Sequence, residues 1–257
     1  MIRRTELIAF KTIVVKEIRR FRRIWPQTIL PPMVTTALYF IIFGGLIGSR
    51  IGPMQGLSYM EYIVPGVIML GIITNSYANV VSSFFGAKFQ RFIEELLIAP
   101  VPNYMIVLGY VAGGMARGLS VGLMVTLVAA FFVDLEVHSW FITLSTALLT
   151  ALLFAIGGFI NAVYAKSFDD IAIIPTFVLT PLTYLGGIFF TVEMLPGFWQ
   201  NVALFNPILY IINAFRYGLL GVSDIDVGVA FGIIGLFIVA LFSFALYLLH
   251  KGIGVRS

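Results

Sequence analysis

The amino-acid sequence predicts an all-α, polytopic membrane protein with six transmembrane helices, an N-terminal amphipathic interface helix and a broken extracellular re-entrant hairpin between spans five and six. Three observations carry this. The 257 residues are 60% hydrophobic and 11% charged, where soluble domains carry roughly 25% charged residues, and the mean hydropathy is +1.02. Apolar runs of about 20 residues, the length a helical span needs, recur six times. The stretch from Pro181 to Gly221 stays apolar and aromatic through two proline breaks, Leu195-Pro196-Gly197 and Asn206-Pro207. At membrane depth such breaks are tolerated only against protein or a wet cavity, so the stretch predicts two short helices dipping into the outer half of the bilayer rather than a surface loop.

The chain, 1–257, reads as one transmembrane domain. Residues 1–25 form the interface helix, because Leu7, Phe10, Val14, Ile18, Phe21 and Trp25 fall within a sector of about 80° at helical spacing, with Arg19, Arg20 and Arg23 turned away. A cleavable leader is the competing reading, but no A-x-A site follows the long apolar run after Pro26. The first span is 26–48 and the second 62–86. The second carries Asn75 and Asn79 in a stripe of small and polar residues that suits close helix packing, and the two amides are also candidates for a polar pathway.

Residues 88–99 form a short charged helix containing Lys88, Arg91, Glu94 and Glu95, stopped by Pro100 and Pro102. The third span, 104–133, is longer than a bilayer requires, which predicts a cytosolic projection. Its Gly109, Gly113, Gly114, Gly118 and Gly122 allow another helix to approach closely. Arg117 within it must face protein or water, or reach the interface. The fourth span is 140–165. The fifth, 171–190, contains Pro175 and Pro181, which favour kinks. The hairpin spans 191–216 and the sixth span 227–249.

Charge sets orientation. Thirteen of the sixteen Lys and Arg residues fall on one side if both termini are cytosolic, and the outer segments hold Arg50 and Arg216. This follows the positive-inside bias and predicts a multi-pass membrane protein with both termini cytosolic. The basic N-terminal arm reads as a lipid anchor rather than a nucleic-acid site. No cysteine is present, and His138 and His250 are far apart, so no metal or cofactor is expected. No G-x-x-x-x-G-K-[ST] loop exists to cradle a nucleotide, so the chain is not an ATPase and no catalytic residue is expected. An external source of energy is implied. A stand-alone secondary transporter, or a non-transporting anchor for a cytosolic partner, is the alternative.

The stretch PLTYLGGIFFTVEMLPGFWQNVALFNPILYIINAFRYGLLG, with its Leu195-Pro196, Asn206-Pro207 and Arg216-Tyr217 pairs, resembles the C-terminal signature of ABC-2 type exporter permeases. The likeness in element order extends over essentially the whole chain. It implies a dimer of permeases, homodimeric or heterodimeric, with two copies of a separate ATP-binding-cassette ATPase docked on the cytosolic side. Residues 88–99, with Lys88, Arg91, Glu94 and Glu95, would be the coupling helix. Leu195, Pro196, Phe198, Trp199, Asn206 and Pro207 would form the outer gate. A pathway between spans two and five would be lined by Asn75, Asn79, Phe177, Thr180 and Tyr184. The cargo would be an amphiphilic or hydrophobic compound, namely a drug-like molecule, a lipid or a glycan precursor.

Overall fold

The computed structural model describes residues 4–254, so Arg256 lies outside the described residues. In chain order the helices are α1 (Arg4–Arg23), α2 (Trp25–Tyr39), a π-helical segment (Phe40–Ile47) and the turn α3 (Gly48–Ile51), then α4 (Tyr59–Phe89), α5 (Phe92–Ile98), α6 (Asn103–Ala129) and α7 (Trp140–Tyr164). There follow α8 (Asp170–Ile174), a second π-helical segment (Pro175–Leu179), α9 (Thr180–Tyr184), α10 (Gly197–Leu204), α11 (Pro207–Leu220) and α12 (Val227–Lys251). Among the described residues no strand forms, and Met54 and Leu57 make one isolated bridge. By length and composition five helices can cross a membrane, and α10 with α11 makes a further candidate, bent by 84°.

The bundle is built around α4. Its start is fixed by a capping box, in which Glu61 N–H donates to Ser58 Oγ at 3.3 Å and Ser58 N–H donates to Glu61 Oε2 at 2.8 Å. Of its most apolar stretch 78% is buried, against 17% for that of α2. Close approach explains the difference. A Cβ on Gly114 or Gly118 of α6 would lie 2.9 Å from the carbonyl oxygen of Ser76 or Ile72 respectively, and one on Gly158 of α7 would lie 2.5 Å from that of Tyr77. Glycine alone permits backbones to meet at those distances, so α4, α6 and α7 interlock. Gly122 faces Ile72 on the same side, whereas Gly109 and Gly113 meet Ile13 and Glu17 of α1.

Those α1 contacts show which face of the N-terminal helix the bundle covers. Tyr104 Oη lies 3.2 Å from Glu6, Ile13 meets Gly109 and Glu17 meets Gly113, so α1 runs alongside the start of α6. The face turned to the bundle is that of Ile13, Glu17 and Arg20, about a quarter turn from the apolar face read from periodicity. Leu7, Ile8, Ile18 and Trp25 remain exposed, free to meet lipid. Arg20 was expected to face water. Instead it donates to Asn79 Oδ1 and to the Asn79 carbonyl, both at 2.8 Å, and pairs with fully buried Glu17 at 3.4 Å. Ser83 Oγ donates to the same carboxylate at 2.6 Å. Hydrophobic periodicity finds the greasy face of a helix, which for α1 is the face that the bundle leaves uncovered.

The fifth expected span is shorter than its sequence suggests. Its helical part stops at Tyr184 and is interrupted by the π-helical Pro175–Leu179, because Pro175 cannot donate a backbone hydrogen bond. Asn161 Nδ2 compensates in part by donating to the Ile171 carbonyl, the one that Pro175 leaves without its helical partner, at 3.2 Å.

Candidate functional site

A cavity of about 500 Å³ opens between α2, α4 and the broken helix α8–α9. Pro31, Thr36, Thr74, Asn75, Thr180 and Tyr184 are among its lining residues. The wall is mainly apolar, with threonines, tyrosines and one amide as its polar points, and the two π-helical segments continue α2 and α8. Such a surface can hold a greasy body while hydrogen-bonding one part of it. Of the pathway residues read from sequence, Asn75, Thr180 and Tyr184 lie together here. The other two do not. Asn79 is buried behind the wall and engaged by Arg20, and Phe177 points outward with 74% of its surface exposed.

At one end of the cavity the chain between Tyr184 and Val192 leaves helical geometry, with Gly187 at φ +75°. Every break of this kind frees backbone carbonyls, and in an apolar setting each needs a donor. Side chains from α4 and from α11 with its cap supply them. Asn206 Nδ2 donates to the Leu182 carbonyl at 2.6 Å, and Arg216 donates to that of Gly187 at 2.6 Å. Tyr59 Oη reaches Phe189 O at 3.2 Å, and Tyr62 Oη reaches Phe190 O at 3.3 Å. Arg216 is fully buried, and its guanidinium also stacks over the Tyr62 ring at 3.9 Å from the centroid.

Asn213 extends this network. Its Oδ1 accepts the Asp224 N–H at 2.9 Å, and the Asp224 carboxylate receives Gln55 and the Val192 N–H. Arg216 was counted from sequence as an ordinary outer basic residue, and only its Tyr217 neighbour and the signature hinted at more. Its role becomes visible once the carbonyls it serves are placed.

Of the residues read as an outer gate, Asn206 and Pro207 start α11. Asn206 Oδ1 accepts the Ile208 N–H at 3.0 Å and Pro207 occupies the first turn, where a missing N–H is harmless. Leu195 and Pro196 precede α10, and the Leu195 carbonyl accepts from Gln200 at 2.8 Å. Phe198 and Trp199 pack edge to face at 5.4 Å and are exposed on α10.

At the opposite end of α4 lies the charged segment. The expected helix 88–99 is shorter, because α4 itself runs to Phe89 and α5 starts at Phe92. Arg91 joins them in a left-handed conformation, φ +61°, that a non-glycine residue adopts at a cost. Glu94 and Glu95 are exposed, with exposed Phe89, Phe92, Ile98 and Phe168 around them, while Ile93 anchors α5 in the bundle. Lys88 does not belong to this surface. Its Nζ donates to the Val163 and Ala165 carbonyls, both at 2.6 Å, and so closes the C-terminus of α7.

Two short patterns in the sequence serve the helices they lie in. Gly118-Leu119-Ser120-Val121-Gly122 has the spacing of a nucleophile elbow, yet it lies inside α6 with Ser120 Oγ donating to the Ala116 carbonyl at 2.7 Å. Asp224 and Asp226 are two apart, but Asp226 caps α12 by accepting the Val229 N–H at 2.9 Å. Among the described residues no group of His, Cys, Asp and Glu could hold a metal ion.

Comparison with known proteins matches this arrangement. Residues 8–220 fit the family described as ABC-2 type transporter. The chain is 58% identical over 250 residues to the inner membrane transport permease YadH of Escherichia coli (strain K12), covering 97% of this chain and 98% of that one. It is 27% identical to nodulation protein J of Rhizobium leguminosarum bv. viciae over 87% of each chain, and 27% identical to that of Rhizobium meliloti (strain 1021) over 90% of this chain and 88% of the relative. With an apolar helical bundle, a proline-broken hairpin tied to its central helix and a match across most of its length, the chain belongs to the ABC-2 type transporter family.

Proposed function

We propose that this chain is the permease subunit of an ATP-driven exporter that moves an amphiphilic or hydrophobic compound across the bacterial inner membrane. A separate ATP-binding-cassette subunit, in two copies, supplies the energy, and two permeases pair as a homodimer or with a related chain. The α5 end, with both termini, faces the cytosol and the hairpin faces outward, as the distribution of basic residues favours. One observation carries the reading: a single helix, α4, runs unbroken from the hairpin's carbonyl donors Tyr59 and Tyr62, along the cavity, to the exposed acidic and aromatic surface of α5. At 1.5 Å per residue that helix is about 46 Å long.

Motion of the ATPases against Glu94, Glu95 and the surrounding aromatics would pass along α4 as a rigid shift. The cavity wall on the side of α2 and α9 would yield, and the hairpin would open or close above it. The relatives are named a transport permease and a nodulation protein, and the former name accords with this role.

The test is reconstitution of the chain with its ATPase. Reversal of charge at both Glu94 and Glu95 to Lys should leave membrane insertion and stability intact while abolishing substrate-stimulated ATP hydrolysis and transport. Unchanged transport by that variant refutes the docking role of α5. Transport in vesicles lacking any ATPase would support a secondary transporter in its place.

A further inference from the structure

Asn75 and Asn79 stand one turn apart on α4, and each receives a guanidinium, Arg117 from α6 and Arg20 from α1. The two arginines differ in what balances them. Arg20 donates to three acceptors, Ser82 Oγ and the carbonyl and amide oxygens of Asn79, with the Glu17 carboxylate beside it at 3.4 Å. Arg117 has a single long bond, 3.4 Å to Asn75 Oδ1, and no carboxylate beside it: among the described residues the one salt bridge is that of Arg20 with Glu17, while the Nε of both arginines is buried without a hydrogen-bond partner. A cation about 21 Å along α6 from Asn103, in an apolar bundle, is costly to leave unmatched. Asn75, its weak partner, lines the cavity, and Arg117 stands behind that amide rather than in the wall itself. An anion arriving at that point would replace an amide oxygen at 3.4 Å with a charge-assisted bond.

We propose that Arg117 is the anchor for the charged head of an anionic amphiphile, phosphate-bearing in its simplest form, whose apolar body occupies the cavity between α2, α4 and α8–α9. Asn75 acts as the placeholder that the anion displaces. Thr74, Thr180 and Thr183, which also line the cavity, donate their own protons to the Leu70, Pro175 and Thr180 carbonyls and so offer hydroxyl oxygens as acceptors to the more distal polar part of the molecule. This rests on the cavity being the passage proposed above, and it narrows the cargo to molecules with a negative head.

The test uses the full chain in zwitterionic nanodiscs and two probes of equal chain length, hexadecyl phosphate and hexadecyl maltoside. Wild type should bind the phosphate about tenfold more tightly than the neutral probe, the scale expected of a charge-assisted contact. Arg117→Gln should remove that preference and leave maltoside affinity unchanged. Arg19→Gln, on the exposed side of α1, should change neither. Thr74→Trp, which fills the cavity, should abolish binding of both. If Arg117→Gln does not fold, Asn75→Asp serves instead: a carboxylate opposite Arg117 neutralises it and should erase the preference.

A preference that survives Arg117→Gln or Asn75→Asp overturns the assignment. Phosphate binding that survives Thr74→Trp also overturns it, by placing the anion among lipid headgroups against α1. Equal binding of the two probes to wild type defeats the anionic assignment alone, whereas failure of both to bind defeats the cavity as passage.

Discussion

α4 and the broken helix from Asp170 to Tyr184 border the same cavity from opposite sides, and they are built in opposite ways. α4 stays helical over its whole length, through Pro65 in its second turn, and beyond that proline meets α6 and α7 through glycines at backbone distance. The α8–α9 side carries Pro175 and Pro181, passes through a π-helical turn and leaves Ile173, Phe177 and Val178 exposed. Interiors packed at crystal-like density transmit displacement without deforming, while a helix with missing hydrogen bonds bends at low cost. The cavity therefore has one wall suited to carrying force and one suited to giving way. The hairpin network joins them, since Tyr59 and Tyr62 of α4 hold the carbonyls of the segment that follows α9.

Breaking the rigid wall should have the largest effect. Gly118→Leu drives a side chain into the Ile72 carbonyl and Ser76, so α6 must separate from α4; a loss of about 3 kcal/mol is expected, read as a large fall in thermal stability of the purified chain. The corresponding insertion at Gly232 of α12, where nothing lies within 4 Å, should leave stability unchanged.

Next comes the joint. Arg216→Met strands the Gly187 carbonyl and removes the contact with Tyr62, at an expected cost of about 2 kcal/mol. Because the chain has no cysteine, a single Phe190→Cys reports on the hairpin directly, and its maleimide labelling should accelerate in the Arg216→Met background. Unchanged labelling would show that Arg216 does not hold the segment.

A smaller effect separates Lys88 from its neighbours on α5. Lys88→Met should destabilise the α7 terminus by about 1 kcal/mol, seen as faster amide exchange at Val163 to Ala165, with binding of the ATPase retained. Loss of binding without faster exchange would return Lys88 to the docking surface. The smallest effect belongs to the yielding wall, where Phe177→Ala should change stability by less than about 0.5 kcal/mol because the ring faces away from the bundle.

The same contrast governs what could be read from the sequence. Helix positions, the hairpin and the glycine stripe of α6 were legible because each follows from a local rule: apolar length, proline breaks, small residues at intervals of four. The polar interior was not. Asn79 looked like a free amide because its partner, Arg20, is 59 positions away and lies on the face of α1 that periodicity assigns to water. Lys88 looked like part of a charged surface because the carbonyls it closes belong to a helix 75 positions on. Arg216 was hidden for the same reason, since the need for a buried cation arises only when the chain opposite loses its helical hydrogen bonds. Periodicity reports burial in grease, and pairing across the bundle is outside its reach.

The central claim is that one wall of the cavity moves against another that does not. Spin labels placed in pairs on exposed positions, Leu123 with Val178 from the rigid to the broken side and Leu123 with Leu148 across α6 and α7, measure this in the assembled transporter by double electron–electron resonance. On trapping the ATPase with nucleotide and vanadate, the Leu123–Val178 distance should shift while the Leu123–Leu148 distance stays fixed. A fixed Leu123–Val178 distance together with a changed Leu123–Leu148 distance would contradict the account.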